Sequence, residues 1–277
     1  MELSQLDSLS IGKSCKVLGY ARSSYYKHLT LERKKQSINA CLLDHVRIIR
    51  KEMPKIGCKK LHHILSKDDL CYRLLPGRDR FFELLRSNDL LIERRPKYAI
   101  TTNSNHPFKV YKNLIKTKTI NRPNQVWVSD ITYVRLSKGF AYVSLVTDYY
   151  SKKILGYHVS NNLETEGCLS AIKMALKKSK PEFHHSDRGS QYCSYQYTKE
   201  LKKHQVKISM TENGNCYENA VAERINGILK HEFNLYATFK TTKQVQKTLK
   251  QAVKIYNCKR PHWALDLKVP NEIHFAA

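Results

Sequence analysis

Acidic residues are scarce in this 277-residue chain: 24 Asp and Glu stand against 49 Lys and Arg, a formal net charge of +25. The excess is spread over both halves instead of gathered in one tail. That distribution argues for a long polyanion touching much of the surface, with nucleic acid as the default partner. Closely spaced cysteines are missing as well. The eight cysteines include no Cys-x-x-Cys pair, and the nearest two, Cys58 and Cys71, are thirteen positions apart. A zinc finger or disulfide framework is therefore not expected, and Cys58, His62, His63 and Cys71 match no common zinc spacing. The cysteines read as reduced packing residues of a cytosolic protein. No uncharged apolar run approaches the length of a membrane span, and Met1-Glu2-Leu3-Ser4-Gln5 does not open a secretory leader. The expected location is the cytoplasm, with no membrane partner.

What the chain does contain falls into two patterns. Residues 1–93 read as short helices: Ile11 to Leu18 closed by Gly19, then a helix capped by Ser23, the outline of a helix-turn-helix DNA-binding region. Further helical stretches are predicted from Ile38 to about Lys51, from Lys59 to Leu65, and around Phe81 to Leu85. Residues 94–123 are basic and polar, centred on Thr101-Thr102-Asn103-Ser104-Asn105-His106-Pro107, and read as a linker. From residue 124 the pattern changes. Gln125 to Val134, Phe140 to Thr147 and Lys153 to Val159 read as an antiparallel meander. A helix (Glu164 to Lys178), a strand (Phe183 to Ser186), a helix (Tyr195 to His204), a strand (Val206 to Met210) and a helix (Tyr217 to Phe233) follow. This order predicts an α/β, ribonuclease-H-like core over 124–235: a mixed five-stranded sheet with helices, preceded by the small all-α domain. Residues 236–277 are expected as a helical extension of that core.

Three acids fall at telling places in this scheme. Asp130 is placed on the first strand, Asp187 after the fourth, and Glu223 on a helix, with thirty-five residues separating the last two. Carboxylates gathered from distant positions repel one another and raise a pKa unless a cation joins them, and hard Mg²⁺ prefers carboxylate oxygens. Two such ions, ~3.5–4 Å apart, can activate an attacking oxygen and stabilise a leaving one in phosphodiester chemistry. On a helix, Glu223 shares a face with Asn219, Asn226 and Lys230, opposite an apolar stripe of Val221, Ile225, Ile228 and Leu229. The same face also suits a merely solvated amphipathic helix. Asp148, Glu212 and Glu218 are rival acids on composition alone, with Asp148 read as a turn or structural residue.

The residues around these acids carry a more specific likeness. Trp127 to Tyr133, His185 to Tyr192, Gly214-Asn215-Cys216-Tyr217-Glu218-Asn219-Ala220, Glu223 to Lys230, and Tyr256-Asn257, Arg260-Pro261-His262, Leu265 and Pro270 occur in order. With them the chain resembles the DDE transposases and integrases, in particular the second-reading-frame proteins of the insertion-sequence-three family. It departs at Ile56-Gly57-Cys58-Lys59-Lys60, where family members often carry Tyr-Gly-Tyr-Arg-Arg. The resemblance implies a DNA transposase with Asp130, Asp187 and Glu223 as catalytic ligands to Mg²⁺ or Mn²⁺. It implies strand cleavage at terminal inverted repeats and joining of the freed 3′ hydroxyl to another phosphodiester, without a covalent protein–DNA bond. Lys230, Asn226, Arg188, Arg260 and His262 are the implied DNA-side residues, although Arg260 and His262 also fit a helix end with a proline stop. Double-stranded DNA, a homo-oligomer on that DNA, and a first-reading-frame protein as fusion or partner are the implied associates, at the bacterial nucleoid. A purely hydrolytic nuclease, a DNA-binding regulator and an inactive transposase remnant are the competing readings.

Overall fold

A computed structural model describes residues 10–92, 107–212 and 219–276. It divides into two compact units, Met1–Ile49 with Leu61–Leu91, and Arg50–Lys60 with Ile92–Ala277. Among the described residues no helix is long and apolar enough to cross a membrane.

The first four helices are α1 (Ile11–Val17), α2 (Arg22–Glu52), α3 (Cys58–Leu65) and α4 (Arg78–Arg86). Gly19 follows α1 with φ +72°, the left-handed conformation that glycine adopts without steric cost. The two helices expected over 23–51 are one continuous helix of 31 residues. Nothing between Leu31 and Ile38 breaks it: the segment Glu32-Arg33-Lys34-Lys35-Gln36 consists of good helix formers, with no glycine or proline. In the first unit, Leu42, Val46, Leu61, Leu65, Cys71, Phe81 and Leu85 are buried, most of them with no exposed surface. Each apolar side chain taken out of water there contributes roughly 1.5–3 kcal/mol.

The second unit is built on strands β1 (Val126–Arg135), β2 (Phe140–Asp148), β3 (Ile154–Ser160), β4 (Phe183–Ser186) and β5 (Lys207–Met210). They form one sheet in the order β3-β2-β1-β4-β5. β1 pairs antiparallel with β2 and β2 with β3, whereas β4 lies parallel to β1 and β5 parallel to β4. Helices α5 (Thr165–Leu176), α6 (Ser190–Cys193) and α7 (Tyr195–Lys203) connect the later strands; α8 (Ala220–Glu232), α9 (Thr242–Cys258) and α10 (Pro270–Phe275) follow. The five strands and the larger helices match the expected ribonuclease-H-like order.

Alternation along β1 sorts its side chains onto two faces. Trp127 packs with Val146, Leu155, Cys168, Ile172, Tyr197 and Ile208 in one core. Val126 and Val128 pack with Ile115, Phe183 and Ala222 of α8 in another. Asp130 shares the parity of Val126 and Val128, which aims it toward α8. Close approach of α5 to β3 depends on Gly156, where an added Cβ would stand 2.1 Å from the Ala171 carbonyl oxygen.

One expectation is corrected here. Residues 107–123, the described part of the expected linker 94–123, lie against the sheet: Ile115 is buried, the Leu114 amide donates to Ser209 Oγ (2.9 Å), and Lys116 pairs with Glu212 (2.8 Å). Apolar Ile115 and Ile120 inside a basic stretch supply the anchor. The motif centred on Thr101 to His106 lies outside the described residues, as do Gly214 to Glu218.

Candidate active site

β1 delivers Asp130 at its midpoint, two residues past the stretch paired in parallel with β4, and the loop after the carboxyl end of β4 delivers Asp187, where open α/β sheets place ligands. α8 delivers Glu223 in its first turn, on the exposed side of the helix. Two asparagines fasten α8 to β1. Asn219 Nδ2 donates to the Ser129 carbonyl (3.1 Å), and Asn226 Nδ2 donates to Asp130 Oδ2 (2.7 Å). Both asparagines are buried, and the Oδ1 atom of each has no hydrogen-bond partner among the described residues. Asp187 Oδ1 accepts from the Gly189 amide (3.0 Å), and a Cβ on Gly189 would come within 3.1 Å of that same oxygen. Glycine at 189 thus lets the backbone close under the carboxylate.

The three acids feel one another. Burial, then the Asp187 carboxylate, pushes the Asp130 carboxyl up to about 7, with a smaller push from Glu223 and an opposing pull from the Asn226 bond. Glu223 is also raised, by desolvation and then by Asp187. Lys230 is held below its usual range by burial, with the charge of Asp130 pulling the other way. Like charges gathered in this way are costly without further positive charge. Hard oxygen donors of this number and sign fit divalent cations such as Mg²⁺, so the donor set passes on chemistry.

The other predicted residues divide sharply. Asn226 is a partner of Asp130 and not a free surface donor. Arg188 is half-buried, with Nε donating to the Thr211 carbonyl (2.6 Å). Arg260 and His262, expected on the DNA side, are turned inward and only 1% and 6% exposed. Arg260 makes two 2.7 Å bonds to the Glu232 carboxylate, which also accepts from Lys60 Nζ at 2.9 Å. His262 Nδ1 accepts from the Ala264 amide, and burial together with Arg260 pulls its pKa down to about 3. A DNA contact is closed to both side chains because the fold already uses them. Tyr256 and Asn257 are internal too: Asn257 bonds both the amide and the carbonyl of Ile154, and the Tyr256 hydroxyl donates to the Lys152 carbonyl. Among the rival acids, Asp148 is fully buried and accepts from the amides of Asn124 and Ser151 and from the Ser151 hydroxyl, which makes it a structural turn residue.

Sequence reasoning placed Asn219 on the Glu223 face but did not foresee its bond to β1. It missed Tyr133, whose hydroxyl is raised by burial, by Tyr142 and by the charges of Asp130 and Asp187. Its ring meets Tyr142 and Phe140 edge to face across the β1–β2 ladder. A cross-strand aromatic row beside an acid was the available signal.

The β3-β2-β1-β4-β5 sheet thus bears an acid on its first strand, one after its fourth and one on a following helix. Models of the integrase core domain match residues 120–216 and 204–270. An insertion element IS600 31 kDa protein of Shigella sonnei is 34% identical over 256 residues, spanning 90% of this chain and 92% of that protein. The transposase InsF for insertion sequence IS3A of Escherichia coli K12 is 29% identical over 232 residues, 80% of this chain and 79% of its own. In structure, the chain is similar to a simian T-cell lymphotropic virus intasome chain, at TM-score 0.50 and 16% identity over 80% of this chain and 75% of that one, a likeness of fold. The chain belongs to the insertion-sequence-three family of transposases. It is a DNA transposase with an integrase catalytic core.

Proposed function

We propose that Asp130, Asp187 and Glu223 are the metal-binding catalytic residues, and that the chain cleaves DNA at the terminal inverted repeats of its element and joins the freed 3′ end to a second phosphodiester. The observation that carries this reading is the 2.7 Å bond from Asn226 to Asp130, which locks the acid of β1 to the helix bearing Glu223 and Lys230. Two Mg²⁺ or Mn²⁺ ions, when bound, would activate the attacking oxygen and stabilise the leaving one.

The chain's own groups do the positioning. Asn226 fixes the direction of the Asp130 carboxylate, and Gly189 holds the Asp187 oxygen through its amide. Glu223, exposed at the start of α8, is free to adjust as a ligand while the other two stay seated. The half-buried Lys230, within reach of the Asp130 charge, offers a cation to a non-bridging phosphate oxygen. The large positive charge supports double-stranded DNA as substrate. Two element ends have to be held for paired joining, so a homo-oligomer on DNA is part of the proposal, with a first-reading-frame protein as fusion or partner for end recognition.

The test is strand cleavage and joining on DNA carrying the flanking inverted repeats, with Mg²⁺ or Mn²⁺, for the natural chain and for Glu223→Gln. Joined products that vanish in the variant support the assignment. Cutting without any joining would leave a hydrolytic nuclease. DNA binding with neither reaction, in the chain alone and in its first-frame fusion, would reduce it to a DNA-binding remnant.

A further inference from the structure

Away from the integrase core, the first unit gathers a second set of metal-ligating side chains. One ring nitrogen of His45, one carboxylate oxygen of Asp68 and Cys71 Sγ all lie within 4.8 Å of one another. Cys41, one turn before His45 on α2, brings a second sulfur to within 3.8 Å of His45 Nδ1. Asp68-x₂-Cys71 is a short pair in a turn. A pair of this kind brings two ligands to one side of a metal, as in zinc sites.

The details suit coordination. His45 Nδ1 is 2.9 Å from the Cys41 carbonyl oxygen. A proton placed there leaves the lone pair on Nε2, the arrangement in which a backbone carbonyl orients a metal-binding imidazole. Asp68 Oδ1 accepts from the amides of Leu70 and Cys71, at 3.0 and 2.9 Å, and the carboxylate also hydrogen-bonds the Cys71 thiol, so two of the donors already touch. Cys71 is fully buried while Asp68 is exposed and His45 half-buried, so the cluster has a closed floor and an open mouth. Burial and then the Asp68 charge push the Cys71 thiol up to about 11, so a free thiol keeps its proton there. Turn capping explains Asp68 and core packing explains Cys71, but neither explains why His45 converges on them.

We propose that His45, Asp68 and Cys71 form a Zn²⁺ site in the helical unit, with the fourth position left to water, distinct from the Asp130, Asp187 and Glu223 carboxylates. Soft sulfur and imidazole donors select Zn²⁺ over the Mg²⁺ that an all-oxygen site takes. Binding would release the Cys71 proton to solvent and tie α2 to the turn after α3.

Cobalt is the probe that separates the two sites, because only sulfur ligation gives a thiolate-to-cobalt charge-transfer band. The full chain, stripped with chelator, is titrated with Co²⁺ and then Zn²⁺. The expected result is one Co²⁺ per chain with a tetrahedral spectrum and a charge-transfer band, displaced by Zn²⁺. The band should be lost in Cys71→Ser and retained in Cys258→Ser, whose cysteine is exposed in the other unit. If Cys71→Ser does not fold, Asp68→Asn and His45→Gln decide. Asparagine keeps the cap to Leu70 and Cys71 but removes the charge, and Zn²⁺ affinity should fall at least about 10-fold. Absence of any sulfur band, or a band and affinity unchanged in Asp68→Asn and His45→Gln, overturns the site.

Discussion

Helix α8 carries two glutamates nine positions apart that meet opposite fates. Glu223 sits with Asp130 and Asp187, exposed, raised by desolvation and by a like charge. Glu232 is mostly buried, and although burial pushes its pKa up, the bonds and charges of Arg260 and Lys60 outweigh that and lower it. In one cluster carboxylates repel one another; in the other a single carboxylate is met by two cations supplied by the protein. The lesson is that charge type on a helix says little about role. What decides is whether the fold itself supplies the counter-charge.

The comparison breaks most visibly at Asp187. Asp187→Asn should abolish joining by on the order of 10⁴-fold or more, about 5.5 kcal/mol of barrier, while leaving the urea midpoint unchanged or raised, since it removes a repulsive charge. A variant that lost stability along with activity would place Asp187 among the structural groups. Glu232→Gln should do the reverse. It leaves Arg260 and Lys60 buried without their partner and should cost about 3–5 kcal/mol in a denaturant titration. Joining measured well below its melting temperature should persist.

Smaller effects sharpen the contrast. Asn226→Ala frees the Asp130 carboxylate without removing it, so joining should fall about 10–100-fold, with higher Mg²⁺ partly restoring it. The pH dependence of metal-free stability is the subtlest signature. A carboxyl whose folded pKa is raised holds its proton longer in the folded chain. Between its ordinary value and about 7, Asp130 therefore makes stability fall as pH rises, with a slope of at most about 1.4 kcal/mol per pH unit. Asp130→Asn should flatten that slope, and a divalent cation should reverse the loss at neutral pH. Glu232, whose folded pKa is lowered, contributes stability that is present at neutral pH and is lost only on acidification through its folded pKa.

The candidate site was legible where local chemistry and strand alternation coincide. The motifs around Asp130, Asp187 and Glu223 singled them out as candidates, and the strands were readable because β-branched and aromatic runs end at turn residues such as Gly139, whose φ is +80°. Arg260 and His262 misled because a basic residue beside a proline looks the same from sequence whether it meets a phosphate or a buried carboxylate. The cluster at His45 escaped because His45 stands more than twenty positions before the other two donors and one of those is an aspartate, which a scan for cysteine and histidine passes over.

The sequence by itself determined the charge of the molecule, its helical and mixed-sheet halves, and the class of chemistry its acids offer, because these depend on composition and on periods of a few residues. Only the tertiary structure decided that Asn226 holds Asp130, that Glu232 pairs with both Arg260 and Lys60, and that His45 meets Asp68 and Cys71. Each of these is a pairing across tens to hundreds of positions, set by how sheets and helices pack and not by any local pattern.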